Sequence, residues 1–327
     1  MQFQRRRLLK TSLIALLATS SALHAQSTFP TGPVTIVVPY GVGGGVDFFA
    51  RTVAVKMGEK LGQPVVVENK PGAGTAIAAS DVARAKPDGQ RLLIGDVSTF
   101  ATNPTLYKKL IYDPARDFTP VSMTGRMPYL LVVNPTVHPY TTLDDFLTAA
   151  RKAPPNSISY ASAGPGGPGH LTSEMFVRAA GIQMVHVPYK GSGPALPDLI
   201  SGHIGMMFMD YGPARVHIAS GKLRALAVAS TKPIPELPNV KTMASTLPGF
   251  ESWFWMGMVA PKGTPAPVVD KLREAYDAAI SDPATRQKLI EAGVEPLKSS
   301  SAEMDAFVRS EASRWGKVIK DSNIQLD

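Results

Sequence analysis

Residues 34–51 read VTIVVPYGVGGGVDFFAR, and the chemistry this run offers is anion binding by main-chain N–H groups. Val34 to Val38 has strand composition and runs into Pro39 and Tyr40. Gly41, Gly43, Gly44 and Gly45 follow, and Asp47 opens a helical pattern. A strand that ends in a glycine turn at a helix start forms a concave nest of N–H donors. The device returns at 162–170, where Ser162, Gly164 and His170 belong to the glycine-proline run SAGPGGPGH. A further turn at 188–193 holds Tyr189, Lys190 and Gly191. Repetition of one anion-binding device predicts a ligand held between two similar lobes.

Several side chains near these loops carry two readings each. His170, at the mouth of the second loop, either orients loop or ligand, or bonds a nearby backbone group as a first-turn histidine. Asp47 could reach a ligand, but an acid at a helix start more often caps it. Asp210 ends the apolar run 204–209 and is either a pocket acceptor or the cap of a helix containing Pro213. Ser98 and Thr99 follow a strand at the expected ligand edge. Arg51 suits a structural ion pair, and packing is the default role for Trp253 and Trp255.

Signatures of catalysis and of cofactors mostly fail. Residues 164–169 match G-x-G-x-x-G between a strand and a helix, but no acid stands about 20 positions on, as the dinucleotide fingerprint requires. Positions 186–190 read His-Val-Pro-Tyr-Lys instead. There is no Walker A sequence and no G-x-S-x-G elbow. Beyond His24, the histidines at 138, 170, 186, 203 and 217 lack metal-ligand spacing. The absence of cysteine excludes disulfides, thiolate catalysis and Cys-ligated metals. The expectation is no cofactor, no metal site and no enzyme activity.

The elements that must position the loops alternate. Strands are expected at 34–38, 65–67 and 91–96, with helices at 47–61 and 76–85. A second set offers strands at 129–133, 157–161, 183–187, 204–210 and 224–229. Its helices fall at 142–152, where Thr142 to Asp145 resembles a capping box, and at 171–180. An extended run 253–259 precedes helices at 265–281, 283–292 and 301–321. This order implies parallel βαβ units in an α/β, two-lobed fold, each lobe a mostly parallel sheet flanked by helices. Open sheets of this kind bind ligands at the carboxyl edge of their strands. The helical tail is expected on the first lobe. The chain would then cross between lobes near 126–130 and near 249–255. The domains expected are a signal peptide at 1–25, a first lobe at 26–128 plus 250–327, and a second lobe at 129–249.

The start of the chain reads as an export signal. Arg5, Arg6, Arg7 and Lys10 precede the apolar run 13–18, with small residues before Gln26. That run is too short for a spanning helix, which needs roughly 20 residues. Both general secretion and twin-arginine export fit. The full chain carries 34 basic and 26 acidic residues, a formal +8; removing the four basic residues of the signal leaves +4. No Lys/Arg block is interleaved with aromatics, so nucleic acid is not an expected partner. The expectation is a periplasmic monomer.

The motifs together resemble the Bug family, the solute-binding proteins of tripartite tricarboxylate transporters. The resemblance covers the chain after the signal. It rests on Pro39-Tyr40 with Gly43-Gly44-Gly45, Asp47 and Ala50-Arg51, on Asn69-Lys70-Pro71-Gly72-Ala73-Gly74, and on Ala85-Lys86-Pro87-Asp88-Gly89. Tyr160-Ala161-Ser162 with Gly164 and His170-Leu171, then Val187 to Gly191, 221–228 and 260–265, continue the series in order. The resemblance implies a Venus-flytrap receptor of type II that closes on an organic anion. It implies that Tyr40, Gly43, Gly44, Gly45 and Asp47 face Ser162, Gly164 and His170 across the ligand, with Tyr189, Lys190 and Gly191 helping to close the second side. The implied partners are a small organic acid and membrane transporter subunits.

Departures from the family pattern shape the expected ligand. Gly41-Val42 replaces the usual alanine-proline, and Val46 stands where threonine is common. The second loop reads Gly164-Pro165-Gly166-Gly167-Pro168-Gly169, where a serine or threonine often precedes the histidine region. Fewer polar side chains predict a ligand with one carboxylate and an apolar or aromatic body. A periplasmic sensor feeding a two-component kinase, and a secreted enzyme of unusual type, are the competing readings.

Overall fold

The structure, a computed structural model, describes residues 29–326, so the signal sequence read at 1–25 lies outside the described residues. In chain order the first half contains β1 (Val34–Val38), α1 (Gly45–Leu61), β2 (Val65–Asn69), α2 (Ala76–Ala83) and β3 (Arg91–Asp96). A short turn leads to α3 (Asn103–Leu106) and to the long strand β4 (Phe118–Val133). Next come α4 (Leu143–Lys152), β5 (Ser159–Ser162), α5 (Pro168–Ala180), β6 (Val185–Pro188) and α6 (Ser192–Ile200). Then follow β7 (Met206–Asp210), α7 (Tyr211–Ala219), β8 (Arg224–Val228) and β9 (Trp253–Pro261). The tail is α8 (Ala266–Ser281), α9 (Pro283–Glu291), β10 (Glu295–Pro296) and α10 (Ser301–Asp321).

Strand order is β2-β1-β3-β9-β4-β7-β5-β6, with β8 and β10 also on β4. In the first half β1 pairs in parallel with β2 and β3, and β9 closes the edge antiparallel to β3. In the second half β5 pairs in parallel with β6 and β7, and β4 closes the edge antiparallel to β7. The same arrangement therefore occurs twice. It puts the carboxyl ends of β1, β3, β5 and β7 at one boundary, where glycine loops lead into helices.

β4 joins the halves. Its residues 118–128 pair with β9 and its residues 129–133 pair with β7 and β8. The sequence predicts this strand only from Tyr129, because Pro120, Gly125 and Pro128 argue against a central strand. The structure accommodates them with register shifts between Pro120 and Ser122 and between Met123 and Gly125. Bulges leave residues unpaired and so tolerate a missing donor. Helix α6 is a further difference: the sequence reads 188–193 as a turn and assigns no helix after it, and Pro194 and Pro197 fall within the helix. Pro194 falls in the first turn, where a backbone N–H has no helical partner to lose.

Helix α1 forms because Phe49, Ala50, Val53, Ala54, Met57 and Leu61 place one apolar stripe on the sheet. Gly62 ends it in the left-handed region at φ 70°, which a glycine adopts at no steric cost. The tail packs on α1: Tyr276 of α8 lies 6.5 Å, ring to ring, from Phe49. Its buried hydroxyl donates to the Thr124 and Leu297 carbonyls. The predicted box at Thr142 is present, with Thr142 and Asp145 bonding each other's backbone N–H. Among the described residues no helix is long and apolar enough to cross a membrane.

Candidate functional site

One cavity of about 1100 Å³ lies between the two halves, lined by Tyr40 to Val46 on one side and by Gly164, Pro165 and Gly167 to His170 on the other. Five helices begin on it: α1 at Gly44, α2 at Thr75, α5 at Gly167, α6 at Gly191 and α7 at Asp210. None of these five has a side-chain cap. Away from the cavity, α3 and α8 also start without a side-chain cap, whereas three other helices have one. Thr142, Asp282 and Ser300 cap α4, α9 and α10 with their own side chains. A helix leaves its first four N–H groups without intrahelical partners. At the cavity these donors, and the positive ends of the helix dipoles, stay available to an anion.

The first glycine loop is locked from behind by Asp47. Its carboxylate accepts from Gly43 N at 2.9 Å, Arg51 Nε at 3.0 Å and Asn69 Nδ2 at 2.9 Å. These donors hold its carboxyl below the usual range against the opposing effect of burial, so it is ionised. Asp47 is buried and outside the cavity lining, and it consumes the Gly43 N–H. Gly44, Gly45 and Val46 keep the free first-turn donors of α1. Behind this loop, Gly72, Ala73, Gly74 and Thr75 all have positive φ, from 45° to 130°. For Ala73 and Thr75 this conformation is strained. It turns the start of α2 into the cavity under Tyr107, where a Cβ on Gly74 would lie 2.5 Å from the tyrosine hydroxyl.

In the second loop His170 Nδ1 accepts from Gly166 N at 2.9 Å, which leaves the proton on Nε2. Burial pushes its pKa down to about 3, so the ring is neutral. The His186 ring stacks on it with centroids 3.8 Å apart. His186 Nε2 lies 2.6 Å from the Ser162 hydroxyl, which also donates to Gly164 O. His170 thus bonds a nearby backbone group, as the first-turn reading has it, and also lies on the cavity wall.

Two acids stand at equivalent ends of β3 and β7, Asp210 on the cavity and Asp96 outside its lining. Asp96 is fully buried and accepts from the Tyr40 hydroxyl and from Thr99 N. Asp210 pairs in register with Tyr129 across β7 and β4 and lines the cavity. Burial first, and then the charge of Asp96, push Asp210 up to about 7. Asp210 occupies the N-cap position of α7 without making a cap bond.

Of the residues singled out in the sequence, Tyr40, Gly43, Gly44, Gly45, Ser98, Gly164, His170, Gly191 and Asp210 meet at this cavity. Asp47, Thr99, Ser162, Tyr189 and Lys190 are not in its lining. Thr99 turns inward to Asp96 and Thr75. The Tyr189 hydroxyl donates to Asp198 at 2.6 Å, and Lys190 is exposed. Sequence reasoning missed Thr75, Tyr107, Met127, Tyr129, Arg215 and Phe254. Only Thr75 had a signal, as the residue after a proline-glycine turn that opens a helix. The lobes also touch beside the cavity. Arg215 Nη1 donates to Glu291 O at 2.7 Å, and a Cβ on Gly212 would lie 2.8 Å from Ala292 O.

Two of these groups give opposed pH dependences of stability. His170 has its folded pKa below the ordinary 6.5, so its contribution is present above about 6.5 and is lost as pH falls toward about 3. Asp210 has its folded pKa above the ordinary 3.8, so its contribution is present below 3.8 and is lost as pH rises toward about 7. Each slope is at most about 1.4 kcal/mol per pH unit, and they oppose in the shared window. Urea unfolding of the ligand-free protein from pH 4.5 to 6.5 is therefore expected to be shallow in slope. His170→Asn should make stability fall as pH rises, and Asp210→Asn should make it fall as pH drops. Identical curves for both variants would refute this assignment.

A two-lobed α/β receptor for a small anion is the class that this fold and cavity define. More particularly, the chain belongs to the family described as tripartite tricarboxylate transporter family receptor, which it matches over residues 49–324. Solved structures agree. The periplasmic binding protein BugD is 36% identical, covers 91% of this chain and 99% of its own, and superposes with a TM-score of 0.79. Rpa4515 of R. palustris, solved with adipate, is 37% identical over 91% of this chain and 99% of its own, with a TM-score of 0.82. MatC of Rhodopseudomonas palustris, solved with malate, is 34% identical over 89% of this chain and all of its own, with a TM-score of 0.78. The expected Bug-type, two-lobed fold is thus the observed one.

Proposed function

We propose that this protein is a periplasmic receptor that captures a small organic carboxylate between its lobes and delivers it to the membrane subunits of a tripartite tricarboxylate transporter. The observation that carries this reading is the group of five uncapped helix N-termini around one cavity. Such donors make charge-assisted hydrogen bonds to a carboxylate without a lysine beneath it. Met127, Tyr129 and Phe254 give the cavity an apolar wall, which suits a ligand with an apolar body. The relatives solved with adipate and malate support the carboxylate class.

The moving units in this proposal are residues 26–128 with 250–327, and residues 129–249, joined where β4 and the segment before β9 cross. Ligand contacts from both lobes favour the closed form by population shift. The protein binds and releases its ligand unchanged, as a receptor and not an enzyme. Residues 1–25 direct export and are removed near Ala25.

Thermal unfolding against a panel of organic acids, with the matching amides as controls, tests the reading. A ligand at about 100 times its Kd adds roughly 2.7 kcal/mol of stability, which raises Tm visibly. The expected result is a shift with an acid and none with its amide, larger for benzoate or adipate than for succinate. No shift with any acid, in protein unfolded, dialysed and refolded to strip bound ligand, would overturn it.

A further inference from the structure

Asp210 is a half-buried acid on the cavity whose chemistry the fold leaves unused. An aspartate at an N-cap normally accepts from the N–H of the second or third helical residue. Here the third residue is Pro213, which has no N–H, and Asp210 makes no cap bond at all. Its Oδ1 is buried without a hydrogen-bond partner. No lysine, arginine or histidine among the described residues forms an ion pair with it. Buried polar groups in folded proteins are nearly always satisfied, so an orphan on a ligand cavity marks a partner that arrives with the ligand.

The neighbouring groups decide which partner that is. From β4 the surroundings contribute Tyr129, from the loop after β1 Tyr40, and from β3 the carboxyl of Asp96. Tyr40 already donates to Asp96. His170 of α5 is neutral and commits its Nδ1 to Gly166. On α7 itself Arg215 turns its guanidinium to the Glu291 carbonyl. No cation therefore offsets a charge on Asp210, and burial together with Asp96 already favours its neutral form. An incoming carboxylate would add a second negative neighbour and raise the cost of ionisation further. A neutral carboxylic acid on an anion site is a hydrogen-bond donor.

We propose that Asp210 carries a proton in the ligand complex and donates it to the bound carboxylate, so that each anion is captured together with one proton. No covalent step is involved: the proton comes from water at ligand entry and stays on the Asp210 carboxyl, shared with the anion. The proposal rests on the carboxylate-receptor reading above. It adds that the free acid at the end of β7 is a specificity device, because it rewards an acceptor on the ligand and rejects an ammonium group.

Calorimetric titration of the protein with adipate, succinate and benzoate at pH 6.5, 7.5 and 8.5 tests it. Each pH is measured in two buffers of different ionisation heat. The tightest of the three acids is expected to take up close to one proton at pH 8.5. Its affinity should fall about tenfold per pH unit once the free protein has lost the Asp210 proton. Asp210→Asn, whose amide donates but does not titrate, is expected to flatten the pH profile. At pH 8.5 it should bind at least about tenfold tighter than the parent. Heat with no proton uptake and no pH dependence in the parent overturns the Asp210 assignment and leaves the receptor reading standing. Affinity that rises with pH, and that Asp210→Asn abolishes, overturns it in favour of an ionised acceptor for a ligand donor. No heat from any of the three acids overturns the carboxylate reading, and with it the proposal.

Discussion

Replacing Gly44 by aspartate should abolish carboxylate binding while leaving the fold at least as stable as before. The two effects have opposite signs for one reason. Gly44 is the N-cap of α1, with φ −75° and ψ 167°, an extended conformation open to any residue. A Cβ there would approach nothing nearer than Gly41 O at 3.7 Å. Aspartate is among the preferred N-cap residues and exceeds glycine by a few tenths of a kcal/mol. Its carboxylate would take the N–H groups that the cavity now keeps free, and would place a negative charge where the ligand's charge belongs. Hydrogen bonds to a charged group contribute about 1.5–3 kcal/mol each. Losing two of them weakens binding by about 100-fold or more before repulsion is counted. Calorimetry with the acid selected by thermal shift reads the first effect, and urea unfolding reads the second. Binding within threefold of the parent would mean that the α1 terminus does not hold the anion.

The second large effect concerns the frame. Glu311 of α10 is almost buried, and its carboxylate collects four donors. Oε2 accepts from Trp255 Nε1 at 2.8 Å, Trp315 Nε1 at 3.1 Å and Arg314 Nη2 at 2.9 Å. Oε1 accepts from Arg314 Nε at 2.8 Å. Arg314 also reaches the Glu251 carbonyl at 3.0 Å, in the segment that crosses between lobes. One acid thus ties the tail helix to β9 and to the crossing. Glu311→Leu would strand two buried indole N–H groups and free the guanidinium. An unsatisfied buried donor costs about 1–3 kcal/mol, and breaking a buried ion pair costs about 3–5. A loss of about 3–5 kcal/mol in urea unfolding is expected, with Glu311→Gln losing less because it keeps one acceptor. A loss below about 1 kcal/mol for the leucine variant would show that the network contributes little.

How much of the site was legible follows from how far each signal reaches along the chain. Glycine loops between a strand and a helix are local features, and 41–45 and 164–169 could be read directly. So could the helices of the tail, whose apolar spacing and proline starts lie within one segment. Strand β4 before Tyr129 could not, because its prolines argue against a strand unless β9 lies alongside. Helix α6 stayed hidden behind Pro194 and Pro197, which are tolerable only in particular turns of a helix.

The sequence by itself determined the α/β class, the repeated anion-binding loops and the family, because these depend on period, turn chemistry and ordered motifs. Only the tertiary structure decided which candidates share the cavity. Asp47 read as a cap or a ligand contact and Thr99 as standing at the ligand edge, yet each turns inward to partners supplied from distant segments, Asn69 for one and Thr75 for the other. Asp210 read equally as cap or acceptor; the structure gives it the N-cap position without a cap bond, and its burial and the charge of Asp96, more than 100 residues away, raise its pKa. Desolvation and long-range charge belong to the folded surroundings of a residue, and no spacing along the chain encodes them.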